Sequence, residues 1–226
     1  MGITIPKRIS QAILNSLSAG VVPRIGLEYI AVGRKREIET ALDDFENLSE
    51  GAAAFRFIIG RYGSGKTFFL QALRNYALER DYICADADLS PDKKLTGSTG
   101  AGRAAYREMM QRISTKLRPD GGALEAIIQR WINKIQTETI QSGYSQDESE
   151  FASRVEWKIH EILTDIKEHV HGFDFASVLL HYYKAFVSGN DDQKNAALRW
   201  IRGEYTTRTE AKRLLPVGEI VTDDSW

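Results

Sequence analysis

The chain lacks most of the features that would tie it to an oxidising compartment or a bilayer. Its 226 residues include one cysteine, Cys84. An internal disulfide is therefore excluded, and the usage fits a reducing cytoplasm. No apolar run reaches the roughly 18 residues of a membrane-span candidate, so no membrane partner is expected. The start, Met1-Gly2-Ile3-Thr4-Ile5-Pro6-Lys7-Arg8, has no apolar core of signal-peptide length behind its basic pair. Pro6 also departs from the myristoylation pattern that Gly2 invites. Neither sign of charge dominates, since 30 Lys+Arg face 31 Asp+Glu for a net charge of -1. That balance gives no whole-chain electrostatic case for nucleic acid, while a local basic patch stays open. There is no internal repeat and no long low-complexity tract. What is present is a 42% hydrophobic share, enough for a real core.

Hydrophobic spacing divides the chain unevenly. Ile9, Ile13, Leu14 and Leu17 recur at helical spacing after Pro6, and Gly20 ends that helix. An extended stretch from Val21 to Val32 follows, then an amphipathic helix with Ile38, Ala41, Leu42 and Phe45 on one face. Phe55-Arg56-Phe57-Ile58-Ile59 is short, apolar and rich in aromatic and β-branched residues, which predicts a strand. A glycine loop comes next, then a helix from Phe68 to Arg80, then a second predicted strand at Tyr82-Ile83-Cys84-Ala85. Strand, loop, helix and strand read as the opening unit of a parallel sheet. From about residue 104 the pattern is almost wholly helical, with Leu124, Ile127, Ile128, Trp131, Ile132 and Ile135 forming the strongest stripe. Phe151 to Val170 reads as one long helix stopped by Gly172. The expected fold class is α/β, with a large, mainly α-helical region after the second strand. The expected parts are 1–103 for nucleotide binding, 104–214 for the helical region or insertion, and 215–226 for the start of a return to the α/β part.

The glycine loop carries the chemistry. Gly60-Arg61-Tyr62-Gly63-Ser64-Gly65-Lys66-Thr67 fits G-x-x-x-x-G-K-[ST], the P-loop or Walker A pattern. Gly60, Gly63 and Gly65 permit backbone torsions that let the loop wrap a phosphate. Its N–H groups then form an anion nest, and the following helix adds its positive N-terminal end. Lys66 is positioned to reach β- and γ-phosphate oxygens. Thr67 supplies a hydroxyl to Mg2+, a hard cation that prefers oxygen ligands. A chance glycine-rich turn would lack the strand and helix predicted on either side. The expected cofactors are therefore ATP and Mg2+.

Hydrolysis usually asks for more. A second, acidic strand holds the metal and orients water. The nearest candidate is Glu219-Ile220-Val221-Thr222-Asp223-Asp224, whose apolar run is only two residues long. No catalytic residue is identifiable. Two sheet strands without neighbours would leave unpaired edges. The expectation is that these 226 residues are an N-terminal portion of a longer ATPase.

Upstream of the loop, Tyr29-Ile30-Ala31-Val32-Gly33-Arg34-Lys35-Arg36-Glu37-Ile38 is an apolar segment, then Gly-Arg, then a helix. It resembles the segment of AAA+ ATPases, especially the initiator and STAND-like branches, that cups the adenine. That resemblance implies that Ile30, Val32 and Gly33 line the base. Arg34 would approach the nucleotide or cap the helix. Taken with Asp86-Ala87-Asp88-Leu89-Ser90-Pro91, Arg118-Pro119, Gly121-Gly122 and Thr207-Arg208-Thr209-Glu210-Ala211, the chain resembles the ATP-binding proteins of bacterial BREX phage-defence systems, the BrxC/BrxD type. The resemblance spans most of the chain. It implies an AAA+-like ATPase with a helical insertion, acting on or near DNA beside other defence-system proteins. It also implies an acidic strand shortly beyond residue 226, and a full-length protein able to form homo-oligomers. An initiator- or loader-like ATPase of replication or transposition is the alternative on the same fold. A nucleotide-dependent assembly switch without turnover is the alternative that is not an enzyme.

Other residues have plainer readings. Asp86 and Asp88 suit Mg2+ contact through water, but turn capping is the commoner role. His160, His169, His171 and His181 fall on different helical faces with no cysteine nearby, which argues against zinc. Trp131, Trp157, Tyr182, Tyr183 and Trp200 read as helix-packing core. The basic cluster Arg199, Arg202, Arg208, Lys212 and Arg213 suits phosphates of DNA or of a neighbour's nucleotide, and a solvated face is the simpler reading. The loop Leu95 to Gly102 has no assigned role.

Overall fold

The computed structural model describes residues 4–90, 92–93, 100–145, 150–164 and 172–222. The chain divides into two compact units, Met1–Cys84 and Ala85–Trp226.

The first unit holds three α-helices: α1 (Lys7–Ser18), α2 (Lys35–Ser49) and α3 (Lys66–Glu79), with a single 3-10 turn at Leu27–Tyr29 between the first two. Pro6 precedes α1, where its missing N–H costs nothing, and its carbonyl accepts from the N–H groups of Ile9 and Ser10. The turn after α1 passes so close to it that a Cβ at Gly26 would lie 2.5 Å from Ile9 Cγ2. Ile13, Leu27, Ile38, Ala41, Phe69, Ala72, Ala77 and Leu78 are buried. Tyr82 closes the unit by stacking obliquely on Phe45 and donating its hydroxyl to the Phe45 carbonyl at 2.8 Å.

The second unit is a helical bundle of α4 (Ala101–Gln111), α5 (Leu124–Gln141), α6 (Phe151–Ile162), α7 (Gly172–Ser188), α8 (Asp191–Ile201) and the short α9 (Arg208–Lys212). The stripe read on α5 is its buried face: Leu124, Ile128, Ile132 and Ile135 pack with Phe151, Val155 and Ile159 of α6 and with Val178, Leu179, Tyr182 and Tyr183 of α7. A fully buried aliphatic side chain such as Ile132 contributes about 1.5–3 kcal/mol relative to exposure. Starts are fixed by side chains where the sequence offers them. The Asn190 side chain accepts from the Gln193 N–H to open α8, and Thr207 accepts from the Glu210 N–H to open α9. Gly172 opens α7, whereas the sequence pattern makes it the stop of a long helix. The helix read from Phe151 ends at Ile162; positions 165–171 lie outside the described residues.

The expected α/β fold is overturned. Helix takes up 59% of the described residues, and no strand or sheet forms among them. The two bridges that do occur, Ser90 with Lys93 and Thr115 with Arg118, close tight turns. The reason lies in what strand propensity measures. Aromatic and β-branched residues fit a pleated, half-buried surface, but a ladder needs a second segment about 4.8 Å away. Residues 52–60 form no regular element and have no such neighbour among the described residues, and Phe55, Phe57 and Ile59 are 81%, 80% and 93% exposed. The segment is held instead by a side chain, since Arg56 pairs with Asp44 of α2 and donates to the Thr40 carbonyl at 3.3 Å. At the second predicted strand, Ile83 is exposed and Tyr82 turns inward to α2.

The tail of the bundle is pinned by one carboxylate. Asp174 is 6% exposed and accepts from the N–H groups of Gly218 and Glu219, both at 2.8 Å. Trp200 Nε1 donates to the Glu219 carbonyl at 2.9 Å, and Ile220 and Val221 are buried beside it. Replacing Asp174 with Ala strands two N–H groups, so the urea midpoint followed by tryptophan fluorescence should fall by an amount worth about 2–3 kcal/mol.

Tyr106 of α4 is tied in the same way, its hydroxyl donating to the Ile201 carbonyl at 2.6 Å. Burial pushes its pKa up to about 12. The neutral phenol is thus the folded form. Its stabilisation is complete below the ordinary tyrosine pKa of about 10 and is lost as pH rises toward the folded value, on the order of 2–3 kcal/mol in all. Tyr106→Phe should lower stability at neutral pH by about 1 kcal/mol, yet show a shallower loss between pH 10 and 12 in denaturation titrations.

Candidate functional site

The loop between that segment, residues 52–60, and α3 is shaped by close contacts. The Ser64 N–H donates to the Arg61 carbonyl at 3.1 Å and closes a tight turn. Gly63 and Gly65 stand at φ 77° and 81°, a left-handed region that side chains disfavour. Gly60 is constrained by space, because a Cβ there would lie 2.4 Å from Ser64 Oγ. Gly65 caps α3 without any side-chain cap. The N–H groups of the first turn are therefore left for water or an anion.

Lys66 is the first residue of α3, and its side chain turns back across the loop. Its Nζ donates to the carbonyls of Gly60 and Arg61, both at 2.9 Å. An ammonium has three N–H donors, so one stays available for a ligand oxygen. Thr67 follows on the first turn with its side chain exposed and its hydroxyl free of hydrogen bonds among the described residues. Arg61 and Tyr62 form the exposed tip of the loop.

The upstream segment is brought to this loop at one point. Ile30 and Ala31 are half-buried, Val32 is 88% exposed, and Gly33 stands at φ 77°. Arg34 occupies the N-cap position of α2 but makes no capping bond. Its Nη2 donates to the Ser64 carbonyl, while Nη1 lies 3.6 Å from Glu37 Oε1. Of the four upstream residues, Arg34 is the one whose side chain bonds to the loop. The Gly-Arg pair before a helix was the sequence signal; its carbonyl partner on the loop was not legible. The Arg56–Asp44 pair was missed altogether. It anchors the loop's leading segment to α2, and the Arg56 guanidinium holds the Asp44 carboxyl below its ordinary range.

The remaining candidates disperse. Asp88 pairs with Arg112 at 2.9 Å, beside Glu108, whose carboxyl is lowered first by its bond to Lys93. The basic cluster is largely neutralised: Arg199 pairs with Glu210 at 2.8 Å, Arg202 approaches Glu204 at 3.9 Å, and Arg208 meets Glu219 at 2.6 Å. Lys212 and Arg213 are exposed. Trp200, Tyr182 and Tyr183 are core, as read, but Trp157 is exposed, with the Arg154 guanidinium 4.8 Å from its ring centre. Cys84 is half-buried, 3.9 Å from the Arg74 carbonyl. His181 contacts Gln193 at 2.5 Å and His160 is exposed. His169, His171, Leu95–Thr99 and the acidic pair Asp223-Asp224 lie outside the described residues. No helix among the described residues is long and apolar enough to cross a membrane.

A glycine loop closed by a lysine at the start of a helix is an arrangement that suits an anion. Residues 5–226 match the family model described as BREX system ATP-binding protein BrxC/D, and the chain belongs to that family. No match is found among curated proteins or among solved structures.

The Gly60 contact generates a paired test. Because the Ser64 hydroxyl can rotate aside, Gly60→Ala should weaken ATP binding by less than about tenfold. Adding Ser64→Ala removes the obstructing Oγ and should return most of that affinity by calorimetry.

Proposed function

We propose that Gly60–Thr67 cradles the phosphates of ATP in a protein that works in BREX phage defence. The reading rests on one observation above the others: Lys66 Nζ is held over the loop by the Gly60 and Arg61 carbonyls, with a donor to spare. The backbone from Gly60 to Gly65 forms the nest, with Arg61, Tyr62 and Ser64 as its turn. Lys66 neutralises β- and γ-phosphate charge as it accumulates there. The exposed Thr67 hydroxyl is a hard oxygen donor and fits Mg2+, whose other ligands would be phosphate oxygens and water. Bound Mg2+ supplies charge neutralisation across the phosphates. Ile30, Val32 and Gly33 form the base side of the site in this reading, and Arg34 ties that segment to the loop through the Ser64 carbonyl.

At the level of the whole protein, the reading is a cytoplasmic, ATP-dependent motor or switch acting on or near DNA with other defence-system proteins. The family supports a defence role. Residues 1–103 carry the nucleotide in this reading, and the helical residues 104–214 carry its consequences to partners.

Lys66→Ala should abolish binding of labelled ATP with Mg2+ while leaving the helical circular dichroism unchanged. Wild-type chain that fails to bind ATP or ADP at millimolar concentration would sink the assignment. Turnover that Lys66→Ala removes would favour the motor over the non-hydrolysing switch.

A further inference from the structure

We infer that Arg34 is a positioning residue that orients the Ser64–Gly65 peptide, so that the Gly65 N–H is aimed into the phosphate nest before any ligand arrives. The inference rests on the nucleotide reading of the loop and adds a role that differs from contact with the nucleotide. Its basis is the geometry of one peptide plane. The guanidinium of Arg34 donates through Nη2 to the Ser64 carbonyl, and the same Nη2 lies 3.5 Å from where a Cβ of Gly65 would stand. No cis peptide occurs among the described residues, so the Ser64–Gly65 bond is trans. In a trans peptide the C=O of one residue and the N–H of the next point in opposite directions. Fixing the Ser64 carbonyl on the Arg34 side therefore fixes the Gly65 N–H on the other.

The restraint matters because this peptide is poorly restrained otherwise. Glycine permits left-handed and right-handed torsions at similar cost, so a Ser64–Gly65 peptide can flip at little expense. Gly65 is held at φ 81°. Its own carbonyl is committed, accepting from the Phe69 N–H at 3.0 Å as α3 begins. Ser64 is committed on its other side through its N–H to Arg61. The peptide plane between them has Arg34 as the side-chain restraint on its carbonyl. Glu37, at 3.6 Å from Nη1 and one turn into α2, steers the guanidinium from behind. The start of α2 thus sets the donor geometry of the start of α3. Donors oriented in advance bind without a reorganisation cost.

Two ligands separate this role from contact with the nucleoside. Affinities for ATP and for inorganic pyrophosphate are measured by calorimetry on the wild-type chain, Arg34→Ala and Arg34→Lys. The Gly65 amide of the ligand-free chain is followed by two-dimensional NMR, with the Ala77 and Leu78 amides reporting that α3 stays folded. Arg34→Ala is expected to lose about tenfold for both ligands, the equivalent of one charge-assisted hydrogen bond. It should also shift or broaden the Gly65 amide signal with Ala77 and Leu78 unmoved. Arg34→Lys, which can still donate to the carbonyl, should recover part of both affinities and the Gly65 signal. A loss confined to ATP would overturn the inference, because Arg34 would then be touching the nucleoside. An equal loss with an unmoved Gly65 amide would also overturn it, leaving only a charge effect. Wild-type chain that binds neither ligand would overturn the nucleotide reading, and this inference with it, whatever Arg34 does.

Discussion

Lys66 belongs to a helix and to a loop at once, and the geometry of the site follows from that double membership. As the first residue of α3 it inherits its direction from the packing of Phe69, Ala72, Ala77 and Leu78. As the brace of the loop it ties that direction to the carbonyls of Gly60 and Arg61. The chain must pass from an irregular run to a right-handed helix within a few residues, and Gly65 makes that change through a left-handed torsion. The first turn of α3, which has no side-chain cap, and the lysine amine then belong to the same short loop. A shift in α3 would therefore be felt at the amine, because helix and loop share a residue and not merely a surface.

The helical half of the molecule was legible because its signal is local and redundant. The stripe Leu124, Ile128, Ile132, Ile135 repeats at a period that only a helix satisfies, and each member is buried. Asn190 and Thr207 open helices by chemistry that acts over three residues, although the sequence reading takes neither as a start. Glycine positions in the loop were legible for a similar reason, since the eight-residue pattern encodes torsions and clearances within itself. The strands were not legible in the same sense. Phe55, Phe57 and Ile59 have the composition of a strand, but a strand is a relation between two segments, and composition describes one. In the structure that run takes up no regular element and lacks a ladder among the described residues. The strand reading is overturned with the fold class, and what is missing is the partner.

The same distinction governs the charged residues. Arg199, Arg202 and Arg208 look alike in the sequence to Arg34, and all four were candidates for touching phosphate. Their partners separate them. The first three face carboxylates of Glu204, Glu210 and Glu219, so their charge is largely cancelled where it stands. Lys66 has carbonyl oxygens as its hydrogen-bond partners, whereas Arg34 donates to the Ser64 carbonyl and also pairs with Glu37 at 3.6 Å.

A carbonyl orients a cation without neutralising it, since it offers a dipole and no net charge. The loop therefore keeps positive charge at a place where backbone N–H groups already converge, and the two effects act in the same direction on an anion. At a partly exposed site the attraction between unit charges about 4 Å apart is on the order of 4 kcal/mol. A carboxylate at Lys66 would remove most of that. Spacing along the chain can place a cation beside a glycine loop, but only the fold decides whether the cation arrives there already spent on an acid. Here Lys66 arrives with carbonyl partners while Arg34 also shares the Glu37 carboxylate, and it is the lysine that favours the loop over the more conspicuous arginine cluster near residue 200 as the proposed place for a phosphate.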